Sequence, residues 1–118
     1  MSALMNRGNP RDKGRQGRLA EVKVAKRLGG RLTVGSGALD GDKGDIEVGD
    51  FLIESKTAMT SSIGIQKQWL LKIYQEALEK NKQPALAINF VDENGNSERR
   101  ERWIAIPEAV FQELFLGS

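Results

Sequence analysis

The chain of 118 residues is 39% hydrophobic and 29% charged, with a formal net charge of +2, and supports one compact domain around one core. It contains no histidine and no cysteine, which excludes disulfide frameworks, thiolate or imidazole zinc sites, cysteine nucleophiles and serine–histidine triads within one chain. No run approaches the ~18 apolar residues that span a bilayer and no secretory apolar stretch opens the sequence, so a cytoplasmic setting is the expectation.

The charge is unevenly placed. Residues 1–31 carry nine Lys/Arg against two acids, a net +7, whereas the rest carries nine against fourteen, a net −5. A basic N-terminal third on an acidic body suggests a footprint for a polyanion, the alternative being a solvated leader. Residues 1–14 mix glycine, proline and charge without an apolar period, and predict a flexible basic arm ahead of a single domain over 15–118. A helix is predicted over 15–29, its apolar sector formed by Ala20, Val24, Ala25 and Leu28, and Gly29-Gly30 ends it. Arg31 to Val34 predicts a short strand, and a glycine-rich loop runs from Gly35 to Gly44.

Two short strands follow, Asp45 to Val48 and Phe51 to Lys56, joined by Gly49-Asp50, a pair suited to a type II′ hairpin turn. Ser61 or Ser62 is a candidate cap for a long helix reaching about Asn81, with Gln66, Trp69, Ile73, Ala77 and Leu70, Tyr74, Leu78 as inward rows. Ala85 to Val91 predicts a strand buried on both faces. Asp92 to Asn96 is turn chemistry, Arg102 to Ile106 a further strand, and Pro107 opens a short C-terminal helix. The order α-β-β-β-α-β-β-α defines a mixed α/β domain.

The hairpin carries the sharpest chemical inference. A two-residue turn at Gly49-Asp50 sets Asp45 opposite Glu54, with side chains ~4.5–5.5 Å apart at Cβ, and Lys56 on the same face. Two facing carboxylates repel unless something positive lies between them, and a divalent cation fits. The alternative is an exposed polar face on which Lys56 simply offsets the acids. In the first helix, Glu21 falls inside the apolar sector. A buried carboxylate there needs a cation, a donor or a metal; a solvent-edge Glu paired with Arg18 is the other possibility.

Asp45, eight residues, then Glu54-Ser55-Lys56, with a preceding helix bearing Glu21, resembles the PD-(D/E)xK nuclease superfamily. Within it the chain is most similar to archaeal-type and phage Holliday-junction resolvases. The likeness covers about residues 15–91. It includes Gly35-Ser36-Gly37, Gly44-Asp45-Ile46, Ile53-Glu54-Ser55-Lys56, the helix start Gln66-Lys67-Gln68 and the run from Pro84 to Phe90. Gly44 stands where the superfamily name has proline, a common variation. Leu32-Thr33-Val34 stands where the archaeal enzymes carry an arginine before the serine loop, with Arg31 the nearest candidate to serve instead.

The resemblance implies a restriction-endonuclease-like domain, a central mixed five-stranded sheet flanked by helices. It implies Asp45 and Glu54 as metal ligands, the Ser55 carbonyl completing the coordination, Lys56 as catalytic lysine, and Glu21 as the helix acid approaching the metal. Arg7, Arg11, Lys13, Arg15, Arg18, Arg31, Ser36, Lys67 and Gln68 are the expected DNA contacts. The expected activity is Mg²⁺-dependent hydrolysis of phosphodiesters in four-way junctions by a homodimer, with Mn²⁺ able to substitute and no organic cofactor or membrane partner. The tail residues Val110, Phe111, Leu114, Phe115 and Leu116, with Trp103, are candidate interface or core material. A repair- or restriction-type nuclease of the same superfamily is the alternative, and a non-catalytic DNA-binding module the rival from another class.

Overall fold

The computed structural model describes residues 10–33 and 44–117, the side chains of residues 10–16 excepted. The elements are α1 (Pro10–Leu28), β1 (Arg31–Leu32), β2 (Ile46–Val48), β3 (Phe51–Ala58), α2 (Lys67–Glu79), β4 (Gln83–Phe90), a 3₁₀ turn (Arg99–Glu101), β5 (Arg102–Ala105) and α3 (Glu108–Phe111). The chain then continues in a π-helical turn, Gln112–Leu116. The strands form one sheet in the order β1-β2-β3-β4-β5. Only β3 and β4 run parallel, joined through α2. This is the expected α/β domain, a mixed five-stranded sheet flanked by helices. Among the described residues, no helix is long and apolar enough to cross a membrane.

The hairpin between β2 and β3 has the expected register: Ile46 faces Ile53, Glu47 faces Leu52 and Val48 faces Phe51. Gly49 holds a left-handed φ of +55°, the first position that a type II′ turn requires. Ile46 and Leu52 are completely buried, each contributing roughly 1.5–3 kcal/mol of apolar burial. A one-residue slip would turn both out of the core, so burial locks the register.

Each face of β3 meets a different helix. Ile53 joins Ala85 and Ala87 of β4 in a core with Val24 and Ala25 of α1. Leu52, on the other face, packs with Ile73 and Ala77 of α2. The side chains that alternate with Ile53 therefore face α2, and these include Glu54 and Lys56.

Several boundaries differ from expectation. The first helix starts at Pro10 rather than residue 15, because proline at the first helical position loses no hydrogen bond and has a suitable φ. Residues 10–14 thus belong to α1; the rest of the expected arm lies outside the described residues. The helix ends at Gly29-Gly30 as expected: Gly30 N–H donates to the Ala25 carbonyl (2.8 Å) and Gly29 N–H to that of Lys26 (3.3 Å), the two bonds of a Schellman cap. A Cβ on Gly30 would lie 2.8 Å from the Glu47 carbonyl oxygen, so the chain can cross β2 this closely only as glycine.

The second helix begins at Lys67, and its N-cap Gln66 makes no side-chain cap; neither Ser61 nor Ser62 starts it. Ile63-Gly64-Ile65 combines glycine, a poor helix former, with two β-branched neighbours. Of the two rows expected to point inward, Ile73 and Ala77 are buried and Trp69 half-buried. Leu70, Tyr74 and Leu78 are exposed, since the sheet covers only one stripe of this helix. Val110 is buried, while Trp103, Phe111, Leu114, Phe115 and Leu116 lie on the surface.

Candidate functional site

The site grows from the end of the hairpin. Asp45 precedes β2 by one residue and is pinned by Thr33. The Thr33 N–H (2.8 Å) and hydroxyl (3.1 Å) both donate to the Asp45 carbonyl, and the Asp45 N–H donates to the Thr33 hydroxyl (2.9 Å). Gly44 completes this clamp. A Cβ at that position would run into the Thr33 carbonyl oxygen, so the proline of the superfamily name would not fit, and glycine is a requirement here rather than a neutral variation.

The second helix runs antiparallel to β3, so successive turns of its stripe meet successive same-face residues of the strand. Ile73 and Ala77 cover Leu52. One step along, Lys72 and Glu76 meet Glu54; the Lys72 ammonium lies 3.7 Å from Glu54 Oε1 and 4.0 Å from Glu76 Oε2. One step further, Trp69 meets Lys56, whose Nζ sits 4.3 Å from the ring centroid. Lys56 also pairs with Glu54 Oε2 at 3.1 Å. The lysine is thus held from two sides, by a carboxylate and an aromatic face.

Carboxylate oxygens of Asp45, Glu54 and Glu76 all lie within 4.8 Å of one another. Glu54 is only 9% exposed, yet its Oε1 accepts no hydrogen bond, and neither does the buried Glu76 Oε1. Burial, a hydrogen bond with Glu76 and the charges of Glu76 and Glu54 together outweigh Lys72 and push Asp45 up to about 7. Two carboxyl groups can share a hydrogen bond only through a proton, so a proton and a cation would compete for the same oxygens. Burial alone would lower the pKa of Lys72, but Glu54, Glu76 and Asp45 raise it above its ordinary value.

The donor set suits a hard divalent cation. It offers only carboxylate oxygens, two of them buried without a hydrogen bond. Two oxygens at ~2.1 Å from Mg²⁺ can stand no more than about 4.2 Å apart, so the cluster need close by only about half an ångström.

The remaining sequence candidates are placed as follows. Asp45, Glu54 and Lys56 come together. Glu21 is buried on α1 but is not among the carboxylates that meet at this cluster; Glu76 is the third. The Ser55 side chain is buried on the α1 face of β3, its hydroxyl without a hydrogen bond, so its side chain takes no part. Arg31 is engaged by Glu47 across the β1–β2 pair. Arg18, Lys67 and Gln68 are exposed, and Gln68 donates to Gln66 (3.0 Å). Arg7 and Ser36, and the side chains of Arg11, Lys13 and Arg15, lie outside the described residues.

Glu76 and Lys72 escaped sequence reasoning. The available signal was an acid flanking the inward row Trp69, Ile73, Ala77, with a lysine one turn before it. Compared with protein-family models, curated proteins and solved structures, the chain matches none.

Proposed function

We propose that this chain is a divalent-metal-dependent DNA endonuclease of the PD-(D/E)xK type, acting on four-way junctions as a homodimer. The observation that supports this most is the meeting of Asp45, Glu54 and Lys56 with a third carboxylate, Glu76, around a space suited to a cation. Asp45, Glu54 and Glu76 would hold Mg²⁺ or Mn²⁺. Once bound, the ion supplies Lewis-acid activation of water and of the phosphoryl oxygen. Lys56, kept in place by Glu54 and Trp69, would set its ammonium beside the attacking water and the phosphate oxygens on which negative charge builds. Thr33 and Gly44 hold the Asp45 backbone and so limit the reorganisation its carboxylate would need to meet the ion.

Resolving a four-way junction takes two symmetric cuts, and one domain carries one site, so a two-fold dimer is the economical arrangement. Exposed Trp103, Phe111, Leu114, Phe115 and Leu116 provide apolar surface for such an interface. The cytoplasm of a bacterial, archaeal or phage-infected cell is the fitting setting for this activity. Incubating the chain with labelled four-way, flap and linear DNA in Mg²⁺, and mapping the cuts, tests the proposal. Paired cuts confined to the junction support resolution. Cuts in flaps or linear duplex reassign the substrate within the nuclease class, and binding without cleavage in either metal leaves a DNA-binding module.

A further inference from the structure

The three-carboxylate cluster already has a positive group beside it. The Lys72 ammonium stands 3.7 Å from Glu54 Oε1 and 4.0 Å from Glu76 Oε2, and these two acids together with Asp45 make up the cluster. Both distances exceed a hydrogen bond, and Glu54 Oε1 accepts none although it is buried. The ammonium therefore supplies charge without binding the oxygens tightly. The contrast with Lys56 is sharp. Lys56 contacts Glu54 at 3.1 Å, lies over Trp69 and has a side chain only 21% exposed, whereas the Lys72 side chain is 58% exposed. One lysine is built into the site; the other can leave it at little cost in packing.

We infer that Lys72 is a placeholder cation that neutralises the Glu54–Glu76 side of the site in the absence of metal and swings out when a divalent ion enters. This rests on the metal-binding reading above. The charges support it. Three carboxylates are matched by one divalent ion and Lys56, so once the ion is in place Lys72 is surplus and is repelled from a position about 4 Å from the acids that now hold it. Without the ion, Lys56 by itself leaves three neighbouring carboxylates under-matched, and the reach of Lys72 to both Glu54 and Glu76 answers that need. The placement of Lys72 one turn before Glu76 on the same helix makes the two contacts mutually compatible.

The test uses the full chain and Mn²⁺ as the probe. Wild type, Lys72→Met, Lys72→Gln and a control, Lys80→Met, are titrated with Mn²⁺ by calorimetry at pH 8 and melted in EDTA and in saturating Mn²⁺. Lys80 pairs with Glu47 rather than with Asp45, Glu54 or Glu76, so its replacement removes the same net charge without removing an ion pair to the cluster. Both Lys72 variants should bind Mn²⁺ ~5–10-fold more tightly than wild type and melt lower in EDTA, with the melting gap closing in Mn²⁺. Lys80→Met should bind as wild type does. The Gln variant keeps a polar tip and remains informative if Met at this position perturbs folding. Equal or weaker Mn²⁺ binding by the Lys72 variants, beside measurable binding by wild type, overturns the placeholder role while leaving the metal site standing. A melting deficit of the same size in EDTA and in Mn²⁺ does the same, because it marks a purely structural ion pair. Absence of Mn²⁺ binding by wild type itself overturns the metal reading, and this inference with it.

Discussion

The metal-free protein should lose stability as the pH rises from 5 to 7, and Asp45→Asn should flatten that slope. The ordinary aspartate value is 3.8, but in the fold burial, the hydrogen bond with Glu76 and the nearby carboxylates push Asp45 up to about 7. Between those values the folded state retains a proton that the unfolded state has released, so rising pH favours unfolding. Above about pH 7 both states are ionised and the slope ends. Two pH units at 1.36 kcal/mol each set a ceiling of about 2.7 kcal/mol. Asp45 is only half-buried, and screening by solvent reduces this to ~1 kcal/mol, or roughly 4 °C in Tm for a domain of this size.

The window is unusually clean because the chain has no histidine to titrate in it. The stability that Glu47 gains from Arg31, which depresses its pKa, is lost only as the pH falls below its ordinary 4.5. Differential scanning fluorimetry of both proteins in EDTA, in half-unit pH steps, makes the comparison, and subtracting the Asp45→Asn profile removes contributions from other groups. Saturating Mn²⁺ should reverse the wild-type slope, since the ion competes with the proton for the same oxygens. Parallel melting profiles for the two proteins in EDTA would refute the assignment of the shared proton to Asp45 and Glu76.

Glu54→Ala should abolish cleavage of a labelled junction in Mg²⁺ while leaving metal-free binding, read by mobility shift, intact or tighter, because it removes both a ligand and a charge repelling phosphate; a cleaving variant would dissolve the proposed site. Lys56→Met should slow single-turnover cleavage at least ~10²-fold, the scale of a positioned acid–base group, with Mn²⁺ affinity by calorimetry unchanged or raised, because a positive charge beside Glu54 is lost; near-wild-type cleavage would remove lysine from the mechanism. Gly44→Ala should weaken Mn²⁺ binding although the substitution adds only a methyl group, because a Cβ there meets the carbonyl of Thr33, the residue whose N–H and hydroxyl position Asp45; unchanged Mn²⁺ affinity would show that the clamp is dispensable.

The local features were legible because neighbours in the chain decide them. Gly49-Asp50 specifies the turn, the turn specifies the register, and alternation then places Glu54 and Lys56 on one face. The apolar sector of α1 and the buried run in β4 announce themselves by period and composition alone. Which acid joins Asp45 and Glu54 was not decided locally. Glu21 and Glu76 each flank or interrupt the apolar row of a helix, and nothing in either segment says which helix turns its carboxylate toward the hairpin face. That follows from the way α2 crosses the sheet: antiparallel to β3, with Ile73 and Ala77 seated on Leu52, it can present only Lys72 and Glu76 to Glu54 and only Trp69 to Lys56. The same packing leaves Leu70, Tyr74 and Leu78 exposed despite their helical spacing. The clamp on Asp45 is likewise tertiary, since Thr33 lies twelve residues away and meets it only where the chain returns beside β2. Pattern along the chain determines which faces are apolar and how a short turn pairs its strands, because those depend on contacts between near neighbours. The membership of a site shared by a hairpin and a helix depends on how two separately formed surfaces dock, and only the packed core decides that.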